Sequence, residues 1–166
     1  ARFGGVGANV ATGLARLGRD TALLGRLGND DVGDRVLADL KAGPVSTALI
    51  RRGPGTTTHC VILRGPEGKR MIVTAGDSTV RLRLDDTDRT VLRAADAVFV
   101  TAYAPDPVTR EIVEIAAEPD GPALAFDLSG AIEELRGRGT ERATIDRVVE
   151  VAELFVTAEV AAESYL

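Results

Sequence analysis

The stretch Gly4-Gly5-Val6-Gly7-Ala8-Asn9-Val10-Ala11-Thr12-Gly13-Leu14-Ala15-Arg16-Leu17-Gly18 sets the frame for reading the chain. Val10, Leu14 and Leu17 recur at helical spacing, Ala8, Ala11 and Ala15 fill a tighter face, and Gly18 is a stop signal. A glycine turn therefore feeds a helix N-terminus. Successive glycines at such a place let backbone N–H groups approach an anion or a hydroxyl-rich ligand closely. The plain alternative is a tight turn that needs positive φ. Ala1-Arg2-Phe3 leads into the turn with no strand to turn from, so material upstream is expected to be missing.

Outward from that turn, a buried strand is expected over 21–27 and a helix over 31–41, with Val32, Val36, Leu37 and Leu40 on its apolar face and Gly43-Pro44 as its stop. The rhythm then changes to strands at 47–51, 56–64 and 69–75, the last two joined by Gly65-Pro66-Glu67-Gly68 as a hairpin turn. In 58–64 both faces are partly apolar, which suits a sheet used on both sides. Alternation returns with helices at 86–94, 107–117, 144–152 and 158–166 and strands at 97–101, 122–127 and 154–156. Repeated strand-helix units imply parallel strands with right-handed crossovers, an open α/β sandwich. The expected division is a core of 1–45 and 76–166 with a β-strand lid inserted at 46–75. Arg136-Gly137-Arg138-Gly139 reads as a mobile loop.

Composition narrows the function. The 166 residues amount to one domain's worth, 45% hydrophobic and 27% charged. A net charge of −5 offers no field for nucleic acid or anionic lipid. One cysteine, Cys60, and one histidine, His59, exclude a disulfide framework, a His/Cys zinc site and a Ser-His-Asp arrangement. One of this pair is expected on a sheet surface and the other as a small buried hydrophobe. No apolar run approaches the roughly 20 residues that cross a bilayer, and no signal-peptide layout opens the chain, so it reads as cytoplasmic.

Two nucleotide motifs fail on residues. A G-x-G-x-x-G/A turn read from Gly5 and Gly7 meets Val10 where a small residue must pack, and no Gly-Lys-Ser/Thr follows for a P-loop. A longer pattern fits. Gly4, Gly5, Gly7, Asn9, Ala11, Gly18 and Gly28 resemble, spacing included, the first signature of the ribokinase-like (PfkB) family of carbohydrate and nucleoside kinases. Gly28-Asn29-Asp30-Asp31-Val32-Gly33 resembles that family's G-x-D-x-x-G turn, Thr56-Thr57-Thr58 its threonine-containing turn, and Glu153-Leu154-Phe155-Val156-Thr157 the strand before its N-x-x-E motif.

The resemblance implies a three-layer, open, mostly parallel α/β sheet with a small β lid, here truncated, and transfer of the γ-phosphoryl of ATP to a sugar or nucleoside hydroxymethyl group with Mg²⁺. It assigns substrate contact to Gly4, Gly5 and Asn9, whose amide offers donors and an acceptor to a diol; Asn9 as a helix-turn residue stays open beside this. Tyr103, after the strand at 97–101, lines the sugar pocket or packs against the lid. Asp127 marks the phosphate end of the cleft or caps the loop after its strand, and Glu159 joins it only if the helix shifts register. Thr157 and Val160 stand where the family has Asn and Glu. The family's Gly-Ala-Gly-Asp segment, with its catalytic base and anion hole, does not occur, so no catalytic residue is identified and the chain alone is not expected to phosphorylate. Its expected partners are a small sugar or nucleoside, and a second copy or the missing C-terminal half. A sugar-binding or dimerisation module without chemistry is the alternative. Arg51-Arg52 reads as a solvated strand end and Glu133-Glu134 as a solvated helix face.

Overall fold

In the computed structural model the residues described are 4–166, so the lead-in Ala1-Arg2-Phe3 lies outside them. Helix α1 (Val6–Arg16) follows Gly5, whose φ of 104° only glycine adopts freely. It ends in a Schellman motif: Gly18 at φ 81° donates to the Ala15 carbonyl and Arg19 donates to that of Leu14. Its small face packs inward. Ala8 and Ala11 are buried whereas Leu14 and Leu17, placed on the apolar face by their spacing, stand exposed. The next strand, β1 (Gly25–Gly28), is shorter than expected. It runs parallel to β2 (Ile50–Gly53), with a separate bridge between Ala22 and Ser46. From that bridge to the Gly25–Ile50 pair the second strand spends one more residue than the first, and a turn in which Ile50 donates to the Thr47 carbonyl absorbs it. That turn also moves the 47–51 strand to its observed place. Between them lies α2 (Asp31–Lys41), capped by Asp30 and followed by Gly43.

The antiparallel hairpin of β3 (His59–Arg64) and β4 (Arg70–Ala75) has the expected Gly65 turn, in which Gly65 donates to the Lys69 carbonyl. Its first strand starts at His59 and not at 56, because the amides of Thr56, Thr57 and Thr58 are spent on the side chains of Asp77, Asp30 and Ser78. Every residue of both strands is exposed. Neither His59 nor Cys60 is therefore the small buried hydrophobe expected of one of them; both are exposed, and Cys60 faces solvent beside Thr74. Arg52 is likewise no solvated strand end, being half-buried and ion-paired to Asp34 at 2.7 Å. A 3₁₀ turn (Thr79–Arg81) closes this first unit, which extends to Leu82.

The second unit starts at Arg83. Helix α3 (Asp86–Ala94) opens with a capping box between Asp85 and Asp88. There follow β5 (Ala97–Thr101), α4 (Asp106–Ala116), β6 (Ala123–Asp127), α5 (Ile132–Gly137), α6 (Arg142–Val151), β7 (Leu154–Val156) and α7 (Glu159–Tyr165). The three strands form a parallel sheet in the order β5-β6-β7. Central β6 carries the core: Leu124, Phe126 and, just beyond it, Leu128 are fully buried, and Phe126 stacks on Phe155 with ring centroids 5.8 Å apart. Val108, Val113, Ile145 and Val148 of α4 and α6 are also fully buried. Arg136-Gly137-Arg138-Gly139 is not a loop throughout. Arg136 and Gly137 complete α5, and Gly139, at φ 93°, forms a second Schellman stop in which Thr140 donates to the Leu135 carbonyl. Among the described residues the fold is mixed α/β with parallel sheets and no closed barrel.

Candidate functional site

In the first unit, the turn into α1 leaves first-turn amides without a side-chain cap, and Gly4, Gly5 and Asn9 are all exposed. Among the described residues, nothing lies within 4 Å of where a Cβ on Gly4 or Gly5 would stand. The turn is thus an open face of N–H donors with an amide side chain in the first turn behind it, suited to a hydroxyl-rich or anionic ligand.

A second polar centre in this unit lies where the hairpin leaves the parallel strands. Asp30 Oδ1 accepts from the Gly33 amide at 2.8 Å and from the Thr57 hydroxyl at 2.5 Å, and Oδ2 accepts from the Thr57 amide at 2.8 Å. The Thr57 hydroxyl in turn accepts from the Gly28 amide at 2.9 Å. The hydrogen bond from the Thr57 side chain, then those from the Thr57 and Gly33 amides, lower the Asp30 carboxyl to about 2. The sequence shows both residues within their turns; their pairing across 27 positions was not visible in it.

In the second unit a hydroxyl cluster forms at the carboxyl ends of β5 and β6, where ligands gather in open α/β sheets. Ser129 adopts φ 58°, the one non-glycine in the left-handed region among the described residues, and Gly130 donates back to the Leu128 carbonyl at 2.6 Å, making a γ-turn. Both Asp127 carboxylate oxygens accept from Ser129, one from its amide at 3.1 Å and one from its hydroxyl at 2.6 Å. Thr101 Oγ1 lies 2.8 Å from Ser129 Oγ, and the Tyr103 hydroxyl donates to the Ser129 carbonyl at 3.4 Å. Arg138 lies over the Tyr103 ring, 5.0 Å from its centroid, and pairs with Glu134 at 3.0 Å. Tyr103 and Asp127 thus meet through Ser129. Ser129 is not among the site residues expected from the sequence, although an Asp two residues before it is the signal of such a local turn. Glu159 stands exposed in the first turn of α7 and takes no part in these hydrogen bonds.

The model of the family described as pfkB family carbohydrate kinase matches residues 1–121. The chain belongs to this pfkB family. Among its relatives, ribokinase of Staphylococcus aureus (strain COL) is 32% identical over 120 residues, covering 68% of this chain and 38% of that protein. The 5-dehydro-2-deoxygluconokinase of Geobacillus kaustophilus (strain HTA426) is 29% identical over 134 residues, covering 75% of this chain and 40% of that protein. A solved Arabidopsis thaliana ribokinase complexed with ribose and ATP superposes with a TM-score of 0.78 at 21% identity, covering 98% of this chain and 51% of that one. A PfkB family carbohydrate kinase from Listeria grayi gives 0.79 at 18% identity, covering 98% and 53%. The chain thus spans about two fifths of these curated pfkB relatives and about half of the solved ones, and its fold is ribokinase-like.

The Arabidopsis complex raises the question of ATP and its metal here. Among the described residues no three His, Cys, Asp or Glu side chains gather to hold a cation, and both Asp127 oxygens are engaged by Ser129. No step of phosphoryl transfer is assigned to these residues. No helix among them is long and apolar enough to cross a membrane.

Proposed function

We propose that this chain supplies the sugar-binding half of an ATP- and Mg²⁺-dependent cytoplasmic kinase site acting on a hydroxymethyl group of a sugar or nucleoside. The observation that carries the reading is the family match over residues 1–121, which includes the Gly4–Asn9 turn and its open face of first-turn amides. In this reading Gly4, Gly5 and Asn9 contact substrate hydroxyls, Tyr103 lines the pocket, and Asp127 and Glu159 belong to its phosphate end. The strands at 46–75 act as a lid on a core of 1–45 and 76–166. Phosphoryl transfer needs a positioned base and charge stabilisation, and this chain carries no Gly-Ala-Gly-Asp segment to supply them. Turnover therefore depends on a partner, a second copy or the family's C-terminal half.

A coupled ATPase assay on the purified chain with Mg²⁺, ribose, fructose, 5-dehydro-2-deoxygluconate and nucleosides tests both halves of the reading. The expected result is no sugar-dependent turnover together with a rise in melting temperature for one of these compounds. Turnover by the chain alone would overturn the need for a partner. A melting temperature that none of them moves would overturn the substrate assignment.

A dimerising module is favoured by one specific observation, the hairpin with Val61, Ile62, Leu63, Met71, Ile72 and Val73 all exposed. Apolar surface of this kind marks interaction sites. Light scattering at tens of micromolar is expected to give twice the chain mass, and a monomer would refute it.

A further inference from the structure

The hairpin does not simply continue the backbone of the first unit; its root is a hydrogen-bonded body of its own. Thr56 donates to Asp77 Oδ1 at 2.8 Å and its carbonyl accepts from the amides of Asp77 and Ser78, both at 3.0 Å. Thr58 donates to Ser78 Oγ at 2.9 Å, and Thr79 donates to Thr58 Oγ1 at 3.1 Å. The incoming and outgoing segments are thereby tied to each other. Gly55 at φ 107° stands just before the tied incoming residues and Gly76 at φ 89° between β4 and the tied outgoing ones, each in a conformation that L side chains resist.

The bonds from this body to the β1–α2 corner converge on Thr57. Thr57 is 1% exposed and sits in a socket made possible by two glycines. A Cβ on Gly28 would stand 2.7 Å from the Thr57 amide nitrogen, and one on Gly33 would stand 2.8 Å from its hydroxyl. Within the socket, Thr57 donates twice to Asp30 and accepts once from Gly28. Asp30 also caps α2 through Gly33, so one carboxylate holds both a helix start and the hairpin root.

We propose that Asp30 and Thr57 are positioning residues that fix the direction of the β3–β4 hairpin and, through it, the chain's affinity for its sugar. The effect on affinity rests on the sugar-site reading; the effect on hairpin direction does not. Loss of the threonine hydroxyl leaves the Gly28 amide without its acceptor and takes one donor from Asp30, which loosens the hairpin root on the β1–α2 corner. Serine keeps the hydroxyl and so keeps the pin.

Cys60, exposed on β3 and the one cysteine of the chain, provides the probe. A nitroxide attached there is read by electron paramagnetic resonance in the wild type, Thr57→Val, Thr57→Ser and Asp30→Asn, each checked for native circular dichroism. The expected result is greater label mobility in Thr57→Val and Asp30→Asn and wild-type mobility in Thr57→Ser. For whichever of ribose, fructose or 5-dehydro-2-deoxygluconate stabilises the wild type, Kd is expected to rise about tenfold in Thr57→Val, equivalent to about 1.4 kcal/mol, and less than twofold in Thr57→Ser. A purely structural role would lower the melting temperature while leaving mobility and Kd of the folded chain unchanged, and that outcome would overturn the proposal. Should Thr57→Val not fold, Asp30→Asn, which keeps the side-chain shape, carries the same readout. If no sugar binds the wild type, the label still decides the pin, and the failure belongs to the sugar reading alone.

Discussion

The β3–β4 hairpin and the β5-β6-β7 sheet are written in similar residues and treated in opposite ways. Val61-Ile62-Leu63 paired with Met71-Ile72-Val73 is at least as apolar as Leu124-Ala125-Phe126, yet every hairpin residue is exposed while Leu124 and Phe126 are fully buried. The difference lies in what holds each region. The sheet is held by side-chain packing, with α4 and α6 contributing fully buried valines and an isoleucine. The hairpin is held at its root by hydroxyl and carboxylate groups, and the fully buried side chains near it are Thr57 and Ser78. A region anchored by directional bonds at one end keeps its apolar strands available for a ligand or a partner. A region anchored by packing has none to offer.

The largest effect expected from this contrast comes from Phe126→Ala. Removing a ring with no exposed surface, stacked on Phe155, is expected to cost about 3–5 kcal/mol. In the single chain, at concentrations too low for pairing, Ile62→Ala in the hairpin is expected to change stability by no more than about 0.5 kcal/mol, as befits an exposed position. Urea unfolding of both variants checks the pair. Equal losses would mean that the hairpin strands are covered in solution.

Next in size is the root. Thr57→Val is expected to lower stability by about 1–3 kcal/mol, the cost of leaving buried groups unpaired, with Thr57→Ser close to wild type. Asp30 adds a pH signature with a definite sign. Its carboxyl is lowered from the ordinary 3.8 to about 2 by the Thr57 and Gly33 hydrogen bonds, so the folded state favours its charged form. The resulting stability is fully present above the ordinary carboxylate range and is lost as pH falls through that range toward about 2. The pH dependence of the melting temperature is expected to be shallower between pH 4 and pH 2 in Asp30→Asn than in the wild type; identical slopes would contradict the assignment.

How much of this was legible in the sequence depends on the range of the interaction. Elements set by local spacing and caps were readable: the helices at 31–41 and 86–94 and the strands at 97–101 and 154–156 match the structure residue for residue. The glycine turn before α1 was readable because only glycine suits Gly5. Strand starts were misread where tertiary bonds compete for backbone amides, as at Thr56, Thr57 and Thr58, whose extended pattern does not reveal that distant Asp77, Asp30 and Ser78 take their N–H groups. The exposure of Cys60 was missed because alternation tells which face a residue is on, not whether that face is covered. In the hydroxyl cluster, the places of Tyr103 and Asp127 at strand ends were legible singly. Ser129 was legible only as the turn residue two places after Asp127; its left-handed conformation and its link to Tyr103 were not, since its residue type demands neither.

The smallest expected effect separates glycines that the fold needs from those it tolerates, within one helix. Gly18 closes α1 at φ 81° and Gly13 lies inside the helix, and a Cβ at either meets nothing within 4 Å. Space is therefore equal and only backbone conformation differs. Gly18→Ala is expected to destabilise by about 1 kcal/mol because it forces an L side chain into the left-handed region. Gly13→Ala is expected to stabilise by about 0.5–1 kcal/mol through helix propensity and a less flexible unfolded chain. Thermal melts of the two variants against the wild type should therefore move in opposite directions. If both fall, Gly13 is held by a contact that its open surroundings do not disclose, and α1, which follows the proposed substrate turn, is then covered on the face that Leu14 and Leu17 now leave exposed.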